Sequence, residues 1–171
     1  MSRFEIKNLA NPLYFEENVL PPHSDHKYYG SEAELASGCS SFKYSLNGLW
    51  HIHVARNLAE RPEGFEASDY DCYSWDTIAV PAHIQMEGYG KPHYTNTTYP
   101  WDGHEVIVPG ELPQENPVAS YVKYFAVPEG WQDVRISFQG AETALAVWLN
   151  GHFVGYSEDS FTPSDFDLTP Y

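Results

Sequence analysis

The sequence has few basic residues and few cysteines, and it has no long apolar run. Nine Lys and Arg residues stand against 24 Asp and Glu residues, so the formal net charge is −15. Nucleic acid and anionic membranes would repel such a chain, which excludes both as partners. No apolar run approaches the roughly 20 residues that a membrane-spanning helix needs. Because no apolar segment follows the amino terminus as in a signal peptide, we expect a cytoplasmic protein.

The two cysteines, Cys39 and Cys72, could form one disulfide bond. In a reducing cytoplasm, two free thiols are the favoured interpretation.

Motifs of common catalytic sites are also missing. The sequence contains no phosphate-binding P-loop, no G-x-S-x-G, no H-E-x-x-H and no cysteine cluster for a metal. A glycosidase needs two carboxyl groups about 5 to 9.5 Å apart. Many acids could be paired, but none has neighbours that indicate a raised pKa. The residues alone therefore favour a binding module over an enzyme.

The composition is that of a loop-rich β protein. Aromatic residues make up 16% of the chain, with 13 prolines and 12 glycines. About seven short segments have strand patterns at near-regular spacing, which predicts an all-β fold, a jelly-roll or galactose-binding-domain-like β-sandwich. Residues 1–45 lack apolar periodicity and are expected to form an extended arm with one helical turn at residues 32–36. Residues 46–171 are expected to form the sandwich.

Two histidine pairs could be metal ligands. His51 and His53 alternate with apolar residues of a predicted strand, so they share one face of it. No third ligand accompanies them, and we interpret both as surface residues. His23 and His26 flank Asp25, but a solvated loop is favoured there because no further ligand spacing supports a metal.

The strongest strand signal is a hairpin centred on Asn150-Gly151. This dipeptide separates two apolar runs and predicts a type I′ turn. Both faces of the first run, residues 144–149, are apolar, so we expect it to be a central strand. The second run leads into an acidic loop that includes Glu158 and Asp159, a position where binding groups are often mounted.

A second stretch, residues 93–101, reads HYTNTTYPW and combines one amide, three threonines and several aromatic rings. This mixture suits sugars, because flat rings pack on C–H faces while amides and carboxylates bind hydroxyl groups. An ordinary edge strand explains the composition equally well.

Taken together, the motifs resemble a known family. In order and spacing they are similar to the amino-terminal sugar-binding domain of the family 2 glycoside hydrolases, and most resemble bacterial β-galactosidases of the lac type. The resemblance covers nearly the whole chain and rests on these segments: 45–50 (SLNGLW), 85–90 (QMEGYG), 94–100 (YTNTTYP), 115–117 (ENP), 149–151 (LNG), 154–160 (VGYSEDS) and 163–168 (PSDFDL).

The resemblance implies three substrate-binding residues. Asn96 matches a family asparagine near the galactose subsite, and Thr97 beside it is implied with less support. Asp159 matches an aspartate that binds galactose hydroxyls and ligates a sodium ion, whose other ligands lie outside this chain. Structural alternatives stay open: Asp159 could instead cap its own loop through Asx-type hydrogen bonds, and Asn96 could have a purely structural role.

The resemblance also implies a jelly-roll domain and a larger retaining enzyme. In the family, two catalytic glutamates lie in a separate TIM barrel, which also carries the magnesium site. This chain alone is therefore expected to be inactive, with no catalytic residue of its own. Its expected partners are a galactoside, the rest of the same polypeptide and further copies in a homo-oligomer. The alternatives are an autonomous carbohydrate-binding module, or a structural domain of a β-glucuronidase-like or β-mannosidase-like enzyme.

Overall fold

The structure, a computed structural model, describes residues 4–93, 96–99 and 103–171. It contains eight short strands, one helical turn and three 3₁₀ segments. The strands are β1 (Glu16–Glu17), β2 (Gly48–Ala55), β3 (Asp76–Val80), β4 (Val118–Val122), β5 (Arg135–Phe138), β6 (Leu145–Leu149), β7 (His152–Ser157) and β8 (Ser164–Asp167). The helix α1 spans Glu32–Ser37, and the 3₁₀ segments span Ile6–Ala10, Leu58–Glu60 and Ile84–Glu87.

The strands form three antiparallel sheets in the orders β1-β7-β6, β3-β2-β4 and β5-β8. The predicted fold class, an all-β sandwich of the jelly-roll type, is confirmed. Two strands were not predicted from the sequence: β1, which comes from the arm, and β8, which lies in the acidic segment after the hairpin. Within the described residues, no helix has the length and apolar character needed to cross a membrane.

The hairpin of β6 and β7 turns where it was predicted to turn. Asn150 and Gly151 both have positive φ angles, 53° and 82°, as a type I′ turn requires. The prediction that the first strand is central was wrong. Among the described strands of this sheet, β7 is the central one and β6 lies at the edge, because β1 pairs with the other side of β7.

The main core lies where β7 crosses β8. Val154 and Phe166 are almost fully buried and pack with Val147 and Leu168. Partly buried side chains from the arm, β5 and β6 cover this cluster, among them Val19. A smaller group of buried residues, which includes Ile52 of β2 and Ile78 of β3, lies in the second sheet.

The two histidines of β2 are not surface residues as we expected. His51 and His53 are half-buried, and the Nδ1 atom of each is buried. His51 packs against the rings of Tyr73 and Tyr124, and His53 packs against Trp75. Aromatic residues of the segment before β3 cover this face of the strand, and a period-2 pattern cannot reveal that cover.

The arm is only partly extended. The predicted helical turn is present as α1, with Ser31 at its amino-terminal cap accepting a hydrogen bond from the Glu34 amide and Gly38 closing it in the left-handed region. Further upstream, β1 adds to the sheet of β7, so the first part of the arm packs on the sandwich. The domain division at residues 45 and 46 stays a prediction. Cys39 is exposed, Cys72 is buried, and both are free thiols.

Candidate functional site

The acidic loop between β7 and β8 is fixed at its start by a buried tyrosine. Tyr156 of β7 is fully buried, and its hydroxyl donates to Oε1 of Glu158 at 2.5 Å. The Glu158 amide donates to the carbonyl of Phe15 at 3.0 Å, which ties the loop to the arm. Burial, followed by the Glu158 carboxylate, raises the pKa of Tyr156 well above its usual value, so the phenol stays protonated. The start of the acidic loop after β7 is therefore held in a fixed position.

Asp159 is exposed and organises the loop around itself. Its Oδ1 atom accepts hydrogen bonds from the amides of Phe161 at 2.8 Å and Thr162 at 3.0 Å. Its Oδ2 atom accepts one from the Thr162 hydroxyl. The Thr162 hydroxyl and the two amides lower the pKa of Asp159, so the side chain is held as a carboxylate. This is the Asx-type cap that the sequence left open.

The same geometry leaves Asp159 some capacity for a ligand. Each carboxylate oxygen can accept about two hydrogen bonds. The bonds described above fill Oδ1 and occupy one position on Oδ2. A sugar hydroxyl or a hard cation could use the remaining position on Oδ2, because both prefer anionic oxygen.

Asn96 and Thr97 lie on a different loop, the one between β3 and β4. Both are exposed and belong to a bend at residues 96–98. Tyr94, Thr95, Pro100 and Trp101, which belong to the predicted sugar-binding stretch, lie outside the described residues. Asn96 and Asp159 are therefore presented by separate loops, and β3 and β7 belong to different sheets.

A sodium ion would find one suitable donor at the acidic loop. Asp159 supplies anionic oxygen, the ligand type that a hard cation prefers. No group of three or more His, Cys, Asp or Glu side chains in the described parts of the chain is arranged to hold a metal ion. The donor chemistry of Asp159 fits a sodium ion that takes its remaining ligands from elsewhere.

Two contributors to this loop escaped the sequence analysis. Thr162 holds the Asp159 carboxylate, and Tyr14 of the arm stacks on Tyr156 at a ring separation of 5.3 Å. The Asp-x-x-Thr spacing was a usable signal, because Asp and Thr often cap a turn together. The Tyr14 contact joins residues far apart in sequence and had no local signal.

Comparison with known proteins identifies the family. The model for "Glycosyl hydrolases family 2, sugar binding domain" matches residues 43–171. The chain belongs to this family. Its match begins just before β2, so the family region contains all strands of the structure except β1.

Relatives of this family 2 domain are much longer proteins. This chain is 56% identical over 161 residues to a β-galactosidase of Halalkalibacterium halodurans. The match covers 92% of this chain and 16% of that protein. The chain is 48% identical to a β-galactosidase large subunit of Leuconostoc lactis, covering 95% of this chain and 28% of that subunit. Among solved structures, a β-glycosidase from Bacteroides vulgatus matches 74% of this chain and 15% of its own, at 26% identity and a TM-score of 0.50.

Proposed function

We propose that this chain is the sugar-binding domain of a β-galactosidase that hydrolyses terminal β-D-galactosides such as lactose. The observation that carries the proposal is the high identity, over nearly the whole chain, to proteins named β-galactosidase. The domain supplies part of the galactose subsite, and a catalytic TIM barrel elsewhere in the polypeptide supplies the acid/base and the nucleophile. By itself the chain does not hydrolyse galactosides.

In this proposal Asp159, Asn96 and Thr97 contact the galactose hydroxyl groups. Asp159 is suited to this role because its local hydrogen bonds keep it ionised and fix its direction before substrate arrives. Charge-assisted hydrogen bonds from sugar hydroxyls to such a carboxylate are stronger than neutral ones. Asp159 also contributes one oxygen ligand to a sodium ion. The magnesium site of the enzyme lies outside this domain.

The proposed setting is a cytoplasmic homo-oligomer of the larger enzyme. Its partners are the galactoside and the remaining domains of the same polypeptide. The strongly acidic character of the chain disfavours nucleic acid and anionic membranes as further partners. The competing functions are an autonomous carbohydrate-binding module and a structural domain of a related glycosidase.

The decisive experiment substitutes Asp159→Asn in the full-length enzyme that carries this domain. Removing the charge should lower kcat/KM for a β-galactoside about tenfold to a hundredfold, since hydrogen bonds to charged groups contribute about 1.5 to 3 kcal/mol. Stimulation by sodium at constant ionic strength should disappear together with the charge.

The matched control is Asp133→Asn, an exposed carboxyl in the turn before β5, which should leave both properties unchanged. Unaltered kinetics for Asp159→Asn would remove this residue from the substrate site and favour the structural domain. Full-length protein that cleaves β-glucuronides or β-mannosides but not β-galactosides would refute the proposed substrate.

A further inference from the structure

A cavity of about 600 Å³ lies beside the second sheet, where β3 begins. Asp76, the first residue of β3, pairs with Ile52, while β2 continues to Ala55 beside β4. The strand edge at residues 53–55 therefore faces a space that β3 does not fill. The segment between β2 and β3 and the loop that carries Tyr89 border this space, which is open to solvent. Its size falls within the range of about 300 to 1,000 Å³ that is usual for small-molecule sites.

Three aromatic side chains line the cavity: Tyr70, Trp75 and Tyr89. The Trp75 ring is held on two sides, by Tyr70 at a ring separation of 5.7 Å and by His53 at 5.4 Å. Aromatic rings fixed in this way present an apolar surface without a large entropy cost on binding. Such surfaces suit the C–H face of a flat ligand.

The polar groups of the cavity are mostly hydrogen-bond acceptors. Asp76 and Glu60 contribute exposed carboxylates. The Tyr89 hydroxyl donates to Oδ2 of Asp76 at 3.0 Å, which orients the carboxylate and leaves its Oδ1 for another donor. The buried Nδ1 atom of His53 has no hydrogen-bond partner among the described residues. This atom has almost no solvent-exposed surface, so a ligand in the cavity would meet the two carboxylates and the aromatic rings instead.

We propose that this cavity is a second carbohydrate-binding site, and that it takes a neutral monosaccharide or a short oligosaccharide. Hydroxyl groups would donate to Asp76 and Glu60, while the sugar ring packs on the aromatic side chains. An anionic ligand is excluded, because two carboxylates and no Lys or Arg line the described part of the cavity. A neutral polyol uses both the acceptors and the rings.

This site is separate from the one described above. Asn96, Thr97 and Asp159 are not among the described residues that line the cavity. The inference therefore does not depend on the proposed galactose subsite, and either proposal can fail without the other. If both hold, the domain binds sugar at two places, and the cavity would retain substrate or an oligosaccharide near the enzyme without contributing to hydrolysis.

The test is calorimetric titration of this chain with D-galactose and with D-glucose, together with NMR of the Trp75 indole N–H. We expect millimolar binding with a shift of the Trp75 signal. The double variant Glu60→Gln/Asp76→Asn should weaken binding at least about tenfold, because it removes two charge-assisted acceptors. Neither substitution affects a buried residue, so the fold should be retained, and thermal unfolding would check this.

Two controls separate the possible outcomes. Glu63→Gln changes an exposed acid on the same segment that does not line the cavity, and it should bind as wild type does. Asp159→Ala changes the other site, so it should remove only binding that does not shift the Trp75 signal. No binding of either sugar, or binding that Asp159→Ala abolishes and the double variant retains, would overturn the proposal. Binding of choline in place of the sugars would also overturn it, by assigning the cavity to a cation.

Discussion

The core of this domain requires glycine at position 155, because a side chain there would overlap its neighbours. Gly155 lies in the centre of β7, between the arm on one side and β8 on the other. A Cβ atom there would overlap the Phe166 ring and would lie 2.7 Å from the carbonyl oxygen of Glu17. The close approach of β1, β7 and β8 therefore depends on glycine at this position.

We predict that Gly155→Ala destabilises the chain by about 1 to 3 kcal/mol, because overpacking forces the ring or the backbone to move. Urea unfolding followed by tryptophan fluorescence would measure the loss. Gly140→Ala is the matched control, since the nearest atom to its added Cβ is the Ser160 carbonyl oxygen at 3.9 Å. Equal stability of the two variants would show that β7 and Phe166 are packed less closely than described.

Asp159 illustrates a residue whose structural and functional roles are compatible. Its hydrogen bonds to Phe161 and Thr162 are those of a loop cap, and they also keep the carboxylate charged and directed. A capping role therefore does not argue against a binding role. The two roles differ only in what happens to sugar affinity when the charge is removed.

At the scale of elements, the β6–β7 hairpin combines a strict turn with an irregular ladder. The pairing shifts between Val147 and Trp148, so that Trp148 lies opposite Phe153 and Val154 becomes the extra residue of a bulge. The carbonyl of Val154 accepts a hydrogen bond from the Asn18 side chain at 2.9 Å. The arm thus satisfies a backbone group that the bulge would otherwise leave unpaired.

We expect Gly151→Ala to destabilise the hairpin by about 1 to 2 kcal/mol, because the left-handed conformation is strained for a residue with a Cβ. The added Cβ itself would meet only ordinary contacts, the nearest being the Ser68 amide nitrogen at 3.8 Å, so the cost belongs to the backbone. Thermal unfolding would measure it. Asn150→Gly should stay within about 0.5 kcal/mol of wild type, since glycine adopts positive φ readily. A neutral Gly151→Ala would indicate a different turn type.

At the scale of the whole molecule, the arm is held to the sandwich by a chain of contacts. Tyr14 stacks on Tyr156, Leu20 donates its amide to the Asp165 carbonyl, and His23 binds the Asp165 side chain with a distance of 2.6 Å from Nε2 to Oδ2. The Nδ1 atom of His23 lies 3.0 Å from the carbonyl oxygen of Ser24. Both ring nitrogens face acceptors, so only the doubly protonated imidazolium can donate to both.

These contacts make arm docking dependent on pH. The Ser24 carbonyl and then the Asp165 carboxylate raise the pKa of His23 above 6.5, against smaller opposing effects of desolvation and of Arg135. Stability from a raised pKa is complete below the unfolded value and is lost as pH rises through the folded value. We therefore expect hydrogen exchange in β1 to accelerate as pH increases above about 6.5, after correction for intrinsic exchange. His23→Gln should remove this dependence, whereas His26→Gln on the same loop should retain it. Equal pH dependence in all three proteins would show that His23 does not hold the arm.

Local chemistry made much of this molecule predictable. The Asn150-Gly151 turn, the helical turn after Ser31 and the all-β class follow from short-range preferences that hold wherever the chain folds. Asp159 was a candidate because the motif at residues 154–160 resembles a segment of the family and because it lies in an acidic loop after a strand. Its partner Thr162 had a spacing signal that the sequence analysis overlooked.

What failed to follow from the sequence depends on contacts between distant residues. The sequence by itself determined most of the strand and turn pattern and the acidic character, since both are set by side chains close together in the chain. The candidate binding residues Asn96, Thr97 and Asp159 came from the resemblance to the family and stay a prediction. Only the tertiary structure decided that β1 joins β7, that β6 is an edge strand and that aromatic residues cover His51 and His53. The physical reason is that the period of a strand fixes which side chains share a face, while burial of that face depends on which distant segment packs against it.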